Sequence, residues 1–343
     1  NNSPSIELIK LLNIEDTMVN TSRLTFAPFL ETIRTKGMVE AGVQEVKDVS
    51  DVYFRKVASD PDFKKELAHI YEEKFTTNEL KDLVEFYKSP IGQKSLQLLP
   101  EMTNAGSVEA LWAMHLESMA GFGFDRLMYG FTRYRTSTSL GDPNDFVLLT
   151  NHSAAYTDAF IGQGLYHHAP MVRWALEHDG ACSWRVLGEM QSQGNLTDAE
   201  RRVIAFNLSM DVRAGYSVSF RSLSTRAKGA IALTARAGLQ QHEVDAVWDR
   251  HGQEIMLLNN LLHLKILTLP CIPPNQSLTK RQREALEWVG DGKTMQDIAA
   301  IMGLTQATIE KHLRLAREAL NVETTAQAVA KAAFQNQMFV IDI

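Results

Sequence analysis

The chain of 343 residues is 45% hydrophobic, enough for two or three globular domains at about 150 residues each. Its 35 Lys and Arg against 41 Asp and Glu give a formal net charge of −6, so no global basic excess advertises nucleic-acid binding, and any DNA contact has to come from a local basic face. The two cysteines, Cys182 and Cys271, lie outside any Cys-x-x-Cys spacing, which speaks against a disulfide framework or a cysteine zinc site and fits a reducing compartment. There is no run of about 18 apolar residues to span a membrane. The opening NNSPSIELIK has neither the basic nor the apolar region of an export signal, although the chain does not begin with Met, which leaves room for a processed or trimmed N-terminus.

Residues 1–106 read as a helical module. From Asp62 to Phe75, the residues Phe63, Leu67, Ile70 and Tyr71 share one helical face. Thr76 with Glu79 forms the next capping box, ahead of Leu80, Leu83, Val84 and Tyr87. Pro90 after Ser89 restarts a helix, since proline suits the first helical position. The stretch MTNAGS marks a boundary, and from residue 107 to 269 the pattern is mixed. SVEALWAMHLESMAGFG is helical. GYSVSFRSL alternates Tyr216, Val218 and Phe220 with Ser217, Ser219 and Arg221, the period of a half-buried strand. FDRLMYGFTRYR, FVLLTN and GAIALTAR are further strands; Thr197 with Glu200 caps a helix, and a long helix runs from about Gln240 to Leu269. The expectation is an antiparallel sheet flanked by helices, an α-β-α sandwich within a multidomain α+β chain.

Residues 270–277, PCIPPNQS, carry three prolines and form a linker. Beyond it, residues 278–343 follow helix-turn-helix grammar. Thr279 with Gln282 caps one helix, which ends at Gly290 and Gly292. Thr294 caps a second, Gly303 supplies the turn, and Thr305 caps a third that runs to about Leu320. Ile309, Leu313, Ala316 and Leu320 keep core spacing, which turns Gln306, Glu310, Lys311, Arg314, Arg317 and Glu318 outward. Gln306 and Lys311 are placed to reach base edges and the arginines to reach phosphates. Basic and acidic side chains nearly balance here, so charge alone equally fits a solvated helix of an unrelated bundle.

The string LTKRQREALEWVGDGKTMQDIAAIMGLTQATIEKHL resembles the C-terminal DNA-binding domain of LuxR-type regulators, with matches at Leu278, Thr279, Arg281, Glu284, Leu286, Gly292, Ile298, Ala299, Thr308, Ile309 and His312. The resemblance implies a four-helix unit contacting double-stranded DNA through Thr305, Gln306, Thr308, Glu310, Lys311, His312, Arg314 and Arg317. It also implies dimer contacts by the helix near Thr325 to Phe334. Glu310 departs from the family, which commonly has Lys there; an acidic group repels phosphate but can accept from cytosine N4.

The resemblance extends more sparsely over the mixed domain. Laying the spacing of the family's acyl-homoserine-lactone site on this chain gives Tyr156, Phe160, Ala169 with Pro170, Trp184 and, further on, Gly215, with Tyr166 and Met171 also bounding the pocket. In the family a Trp, a Tyr and an Asp hold the lactone carbonyl, the acyl carbonyl and the amide N–H. Here Tyr156 keeps a donor of different reach, Phe160 has no hydroxyl and Ala169 no acceptor. Leaving two such groups unpaired costs roughly 1–3 kcal/mol each, so a lactone would bind ~100-fold more weakly or worse. Asp158 points away from the Tyr156 face on a helix and substitutes only if the backbone is displaced.

The first module resembles an uncharacterised helical family with an F-Y-x-S-P-x-G-Q-K core, here Phe86 to Lys94, whose members often carry export signals. Its Tyr71, Phe75, Phe86, Tyr87 and Pro90 read as packing and turn residues. His167 and His168, with His152 and His178 nearby, raise the question of a metal or a catalytic base pair, but adjacent side chains diverge and lack the i, i+4 spacing of a zinc helix. On the family's spacing they become rim or wall residues. With no G-x-S-x-G, P-loop or G-x-G-x-x-G, the chain is expected not to be an enzyme and to need no cofactor beyond a small-molecule signal, an acyl-homoserine lactone or another small apolar ligand. The resulting expectation is a cytoplasmic homodimeric LuxR-type regulator on an inverted-repeat site. The alternative is a ligand-independent protein that heterodimerises with another such regulator and inhibits it.

Overall fold

The computed structural model describes residues 3–35, 37–136, 139–222, 224–272 and 276–339. By internal contacts the chain divides into two units, Asn1–Glu101 and Met102–Ile343.

The first unit is helical: α1 (Pro4–Leu11), α2 (Ile14–Thr35), α3 (Glu40–Ser59), α4 (Pro61–Lys74), α5 (Thr77–Lys88) and most of α6 (Pro90–Thr103). Local chemistry sets these boundaries. The Asp60 carboxylate caps α4 by accepting from the Asp62 amide, and Thr76 and Glu79 form the expected reciprocal box at the start of α5. Leu8, Leu80 and Val84 make a small core, with Tyr71, Leu83 and Tyr87 packed around it. On α4 the buried position is Ala68, with Phe63, Leu67 and Tyr71 of the expected face half-buried, whereas Ile70, expected on the same face, is 52% exposed. The S-P-x-G core is a turn. Ser89 Oγ accepts from the Gly92 amide at 3.0 Å, and a Cβ on Gly92 would stand 2.1 Å from the Phe86 carbonyl oxygen, so only glycine lets α6 start so close to the end of α5. The side chains of Pro90 and Lys94 lie outside the described residues.

In the second unit α7 (Val108–Gly121), capped by Ser107, leads into β1 (Phe124–Thr132) and β2 (Val147–Thr150). Then come α8 (Ala154–Thr157), a π turn at Asp158–Gly162, a 3-10 turn at Leu165–His168, α9 (Pro170–Glu177), β3 (Gly180–Ser183), α10 (Arg185–Ser192) and α11 (Asp198–Ser209). β4 (Gly215–Phe220), β5 (Lys228–Ala235) and α12 (Gln241–Ile266) complete the domain. The sheet is antiparallel in the order β2-β1-β5-β4-β3. The four expected strands are present, joined by β3, a four-residue edge that no alternation announces.

Pleating divides the sheet into two faces. Tyr129, Tyr216 and Phe220 turn towards α12: Tyr129 Oη pairs with His263 Nδ1 at 2.8 Å, Tyr216 stacks on Trp248, and Phe220 stacks on His263. Ser217, Ser219, Ala230 and Ala232 lie on the other face, where Ser219 Oγ donates to the Ala175 carbonyl of α9. All six residues of β4 are buried, so the strand expected to be half-buried is covered on both sides, its serine face by α9 and α10.

Four further helices form the C-terminal part: α13 (Lys280–Gly290), α14 (Met295–Met302), α15 (Gln306–Leu320) and α16 (Thr325–Phe334). Thr279 with Gln282, Thr294 with Asp297 and Thr324 with Gln327 are capping boxes, Thr305 caps α15, and Gly303 takes the left-handed conformation that turns α14 into α15. Leu286, Ile298, Ile309, Leu313, Ala316 and Leu320 fill the core. Of the linker residues, Pro273, Pro274 and Asn275 lie outside the described residues, and those described on either side form neither helix nor strand.

Candidate functional site

Between the sheet and α8–α11 lies a cavity of about 700 Å³. It exists because the sheet offers it small side chains: Gly130, Ser217, Ala230 and Ala232 line it. The opposite wall is aromatic. Tyr156 and Phe160 stand one turn apart with their rings stacked at 5.3 Å, and Tyr166, Ala169 and Met171 follow from the next two elements. Trp184 closes the wall from the start of α10. Tyr156, Phe160, Tyr166, Ala169 and Trp184 are all buried, in one cluster with Met171 packed against them. The structure thus brings together six of the seven expected pocket residues.

Gly215 is placed differently. It does not line the cavity but sits behind Trp184, where a Cβ would lie 2.2 Å from the Leu233 carbonyl oxygen and 2.9 Å from the indole ring. Its absent side chain is what seats the tryptophan. Asp158 is exposed and takes no part in the wall.

The cavity's inner polar groups mostly serve one another. Tyr156 Oη donates to Asn207 Oδ1 at 3.0 Å, and Trp184 Nε1 donates to Ser217 Oγ at 2.9 Å. His152 stacks on Tyr156 at 4.4 Å; burial, helped by the nearby Arg126 charge, pushes its pKa down to about 4, so near neutral pH the ring is uncharged. Burial also raises the Tyr156 hydroxyl well above the usual phenol range. At one end Asp245 accepts from Ser183 Oγ, Tyr216 Oη and Gln241 Nε2 at 2.7, 2.9 and 3.0 Å. Burial works to raise that carboxyl, yet these bonds and Arg185 hold it below the usual range.

Asn207, Ser217 and Thr234 come from α11, β4 and β5 and His152 from the segment between β2 and α8, and no local spacing in the sequence ties them together. His167 and His168, by contrast, are exposed and do not line the cavity. Their expected place on its rim or wall is not what the fold provides, because the 3-10 turn aims Tyr166 inward and the next two side chains out. Among the described residues no group of three or more His, Cys, Asp or Glu is arranged to hold a metal, and no helix is long and apolar enough to cross a membrane.

On α15, Ile309, Leu313, Ala316 and Leu320 are buried, while Thr305, Gln306, Glu310, Lys311 and Arg314 are exposed and Thr308, His312 and Arg317 are half-buried. Thr305 Oγ1 accepts from the Thr308 amide as the helix cap. Arg314 pairs with Glu318 one turn on. Arg317 donates to Glu310 Oε1 at 3.1 Å and to Thr325 Oγ1 at 2.8 Å, so the acidic departure at Glu310 has a partner within its own helix.

The helix-turn-helix part is also tied to the sensory part of the same unit. Lys331 Nζ on α16 meets Asp145 Oδ1 at 2.6 Å, both side chains largely buried, and Gln276 Nε2 donates to the same oxygen at 3.3 Å. The Cys271 amide donates to the Gln335 carbonyl, Asn336 Nδ2 donates to the Leu267 and Leu269 carbonyls, and Arg133 lies over the Phe334 ring. Asp145 belongs to a 3-10 turn, Pro143–Asp145, whose neighbours Leu140 and Phe146 line the cavity. No sequence motif pointed to this junction.

A sheet-backed apolar cavity joined to a helix-turn-helix defines a ligand-sensing domain coupled to a DNA-binding one, and comparison with known proteins agrees. Residues 107–266 match the autoinducer binding domain, residues 276–332 the bacterial regulatory proteins of the luxR family, and residues 61–114 a family of uncharacterised proteins conserved in bacteria, DUF2059. The chain thus carries the autoinducer-binding domain and the DNA-binding domain of LuxR-type transcriptional regulators, and its relatives are regulators, not enzymes. It is 25% identical to the transcriptional activator AnoR of Acinetobacter nosocomialis over 61% of this chain and 84% of that one. It is 27% identical to the transcriptional activator SolR of Ralstonia nicotianae, again over 61% and 84%. The crystal structure of Escherichia coli SdiA aligns with 71% of this chain and 97% of its own, at 16% identity and a TM-score of 0.43.

Proposed function

We propose that the protein is a cytoplasmic regulator that binds an inverted-repeat DNA site as a homodimer and senses a small apolar molecule other than an ordinary acyl-homoserine lactone. The observation that carries the sensing half is the cavity itself: its volume lies in the range of small-molecule sites, and at Phe160 and Ala169 its wall offers neither hydroxyl nor carboxylate. The exposed Gln306, Lys311 and Arg314 at the N-terminal half of α15 support the DNA half, since such a helix reads base edges from its first turns and phosphates from the next. Thr305, Thr308, Glu310, His312 and Arg317 complete the proposed surface.

The coupling runs through the turn that holds Asp145. A ligand pressing on Leu140 and Phe146 changes the position of the carboxylate that grips Lys331, and so biases the orientation of the DNA-binding part. Such a shift requires the ligand to bind the two arrangements with different affinity.

A DNA shift assay with purified protein on an inverted-repeat library, with and without ligand, tests the reading. Failure to bind any such site under all conditions would sink it in favour of a partner that heterodimerises with and silences another regulator.

A further inference from the structure

The cavity's hydrogen-bonding inventory is lopsided. Asp245 is the only carboxylate among the described residues that line it, and its Oδ1 already accepts three hydrogen bonds. Asn207 Oδ1 is taken by Tyr156, and Gln241 Oε1 by the Gly215 amide at 2.9 Å. The unspent capacity of the inner amide and serine side chains is for donation, and hydroxyl oxygens are the neutral acceptors that remain beside them. Ser217 Oγ has accepted from Trp184 and keeps its own proton. Among the described residues no partner is found for Asn207 Nδ2 or for the Tyr166 hydroxyl. Among the described residues no charged group stands free deep in the site: the Lys228 ammonium is held by Asp179 and the His178 carbonyl, Arg185 pairs with Glu189 and Asp245, Arg213 pairs with Asp211, and His152 is uncharged.

From this inventory we infer that the cavity binds a neutral molecule with an apolar chain and an acceptor-only head, an ester or ketone carbonyl with no N–H. The inference rests on the reading of the cavity as a ligand site. An amide fits the same volume, but the inner side-chain carbonyls of Asn207 and Gln241 are taken and the second oxygen of Asp245 faces Arg185 at 3.8 Å, so its N–H is left with hydroxyl oxygens, and a buried donor that is poorly paired is penalised. An ester carbonyl meets the Ser217 and Asn207 donors and brings nothing that goes unpaired. The aromatic and aliphatic walls, from Phe160 and Met171 to Ile204, take the chain.

The test uses two near-isosteric probes that differ by one N–H: N-octanoyl-homoserine lactone, and the lactone in which that N–H is replaced by oxygen to give the octanoyl ester. Each is titrated into the full chain by calorimetry, with Trp184 fluorescence as a second signal. The ester is expected to bind about tenfold more tightly, or better. Ala169→Asp places an acceptor on the cavity wall and is expected to shrink or reverse that preference. Residue 169 precedes Pro170 at a helix start, where Asp and Asn are well tolerated, and Ala169→Asn repeats the test without a charge. Equal affinity for the two probes, or tighter binding of the amide, overturns the inference while leaving the cavity a ligand site. Binding of neither probe overturns the site reading and the inference with it.

Discussion

Replacing Lys331 with Met should loosen the DNA-binding part from the sensory part without unfolding either. The Lys331 and Asp145 side chains are 10% and 16% exposed, so the pair is mostly sheltered from water. Truncating one partner of a buried pair costs about 3–5 kcal/mol, because the other charge stays behind uncompensated. Gln276 still donates to Asp145, and water reaches part of the carboxylate, which brings the expected loss to about 2–3 kcal/mol. The Cys271 amide, bonded to the Gln335 carbonyl across the junction, reports opening through hydrogen exchange. Its rate should rise roughly 30- to 150-fold, while the amide of Ile255, buried in α12, should keep its protection. The double variant Asp145→Leu with Lys331→Met should lose less than either single one, since an apolar pair leaves no buried charge. An unchanged Cys271 rate, or an equal rise at Ile255, would refute the role given to the Lys331–Asp145 pair at the junction.

Three further outcomes are expected. Gly215→Ala should lower Tm by several degrees and shift the Trp184 emission, because the new methyl would stand 2.2 Å from a carbonyl of the neighbouring strand; overpacking typically costs about 1–3 kcal/mol, and an unchanged Tm would show that the ladder yields easily. Burial pushes His115 and His263 down to about 4, so the unfolded chain binds protons that the folded one refuses. Stability is therefore full above about pH 6.5 and falls as pH drops towards 4, by roughly 2 kcal/mol per histidine near pH 5. A Tm that stays flat from about pH 7.5 to 5 would contradict this. Lys311→Ala with Arg314→Ala should abolish DNA binding in a folded protein. Glu310→Gln, which frees Arg317 from its ion pair, should steepen the logarithmic salt dependence by about one unit; an unaltered slope would mean that Arg317 stays on Thr325.

Features written in neighbouring residues were legible in the sequence. Thr76 with Glu79, Thr197 with Glu200 and Thr279 with Gln282 all cap as expected, because a capping box is complete within four residues. The alternation in β4 located a strand but not its burial, since the cover over Ser217 and Ser219 comes from other elements. The short β3 was missed because four residues bounded by glycine and tryptophan carry no period. In the cavity, the aromatic and small residues between 156 and 184 could be placed from spacing, whereas His152, Asn207, Ser217 and Thr234 meet only in three dimensions. His167 and His168 drew notice by their chemistry, yet a tight turn directs both away from the cavity. Lys331 and Asp145, an ordinary lysine and an ordinary aspartate in sequence, become partners only when the two domains dock.

The smallness of the sheet face under the cavity has an evolutionary consequence. Gly130, Ala230 and Ala232 hold space open by what they lack, and they sit on central strands with the polar groups to one side. Each added methyl there would shorten the longest chain that fits without disturbing Tyr156, Asn207 or Ser217. On the proposed sensing role, selection for signal length and selection for head-group chemistry would therefore proceed on separate residues, so a lineage would retune which molecule it hears one carbon at a time while its hydrogen bonds stay as they are.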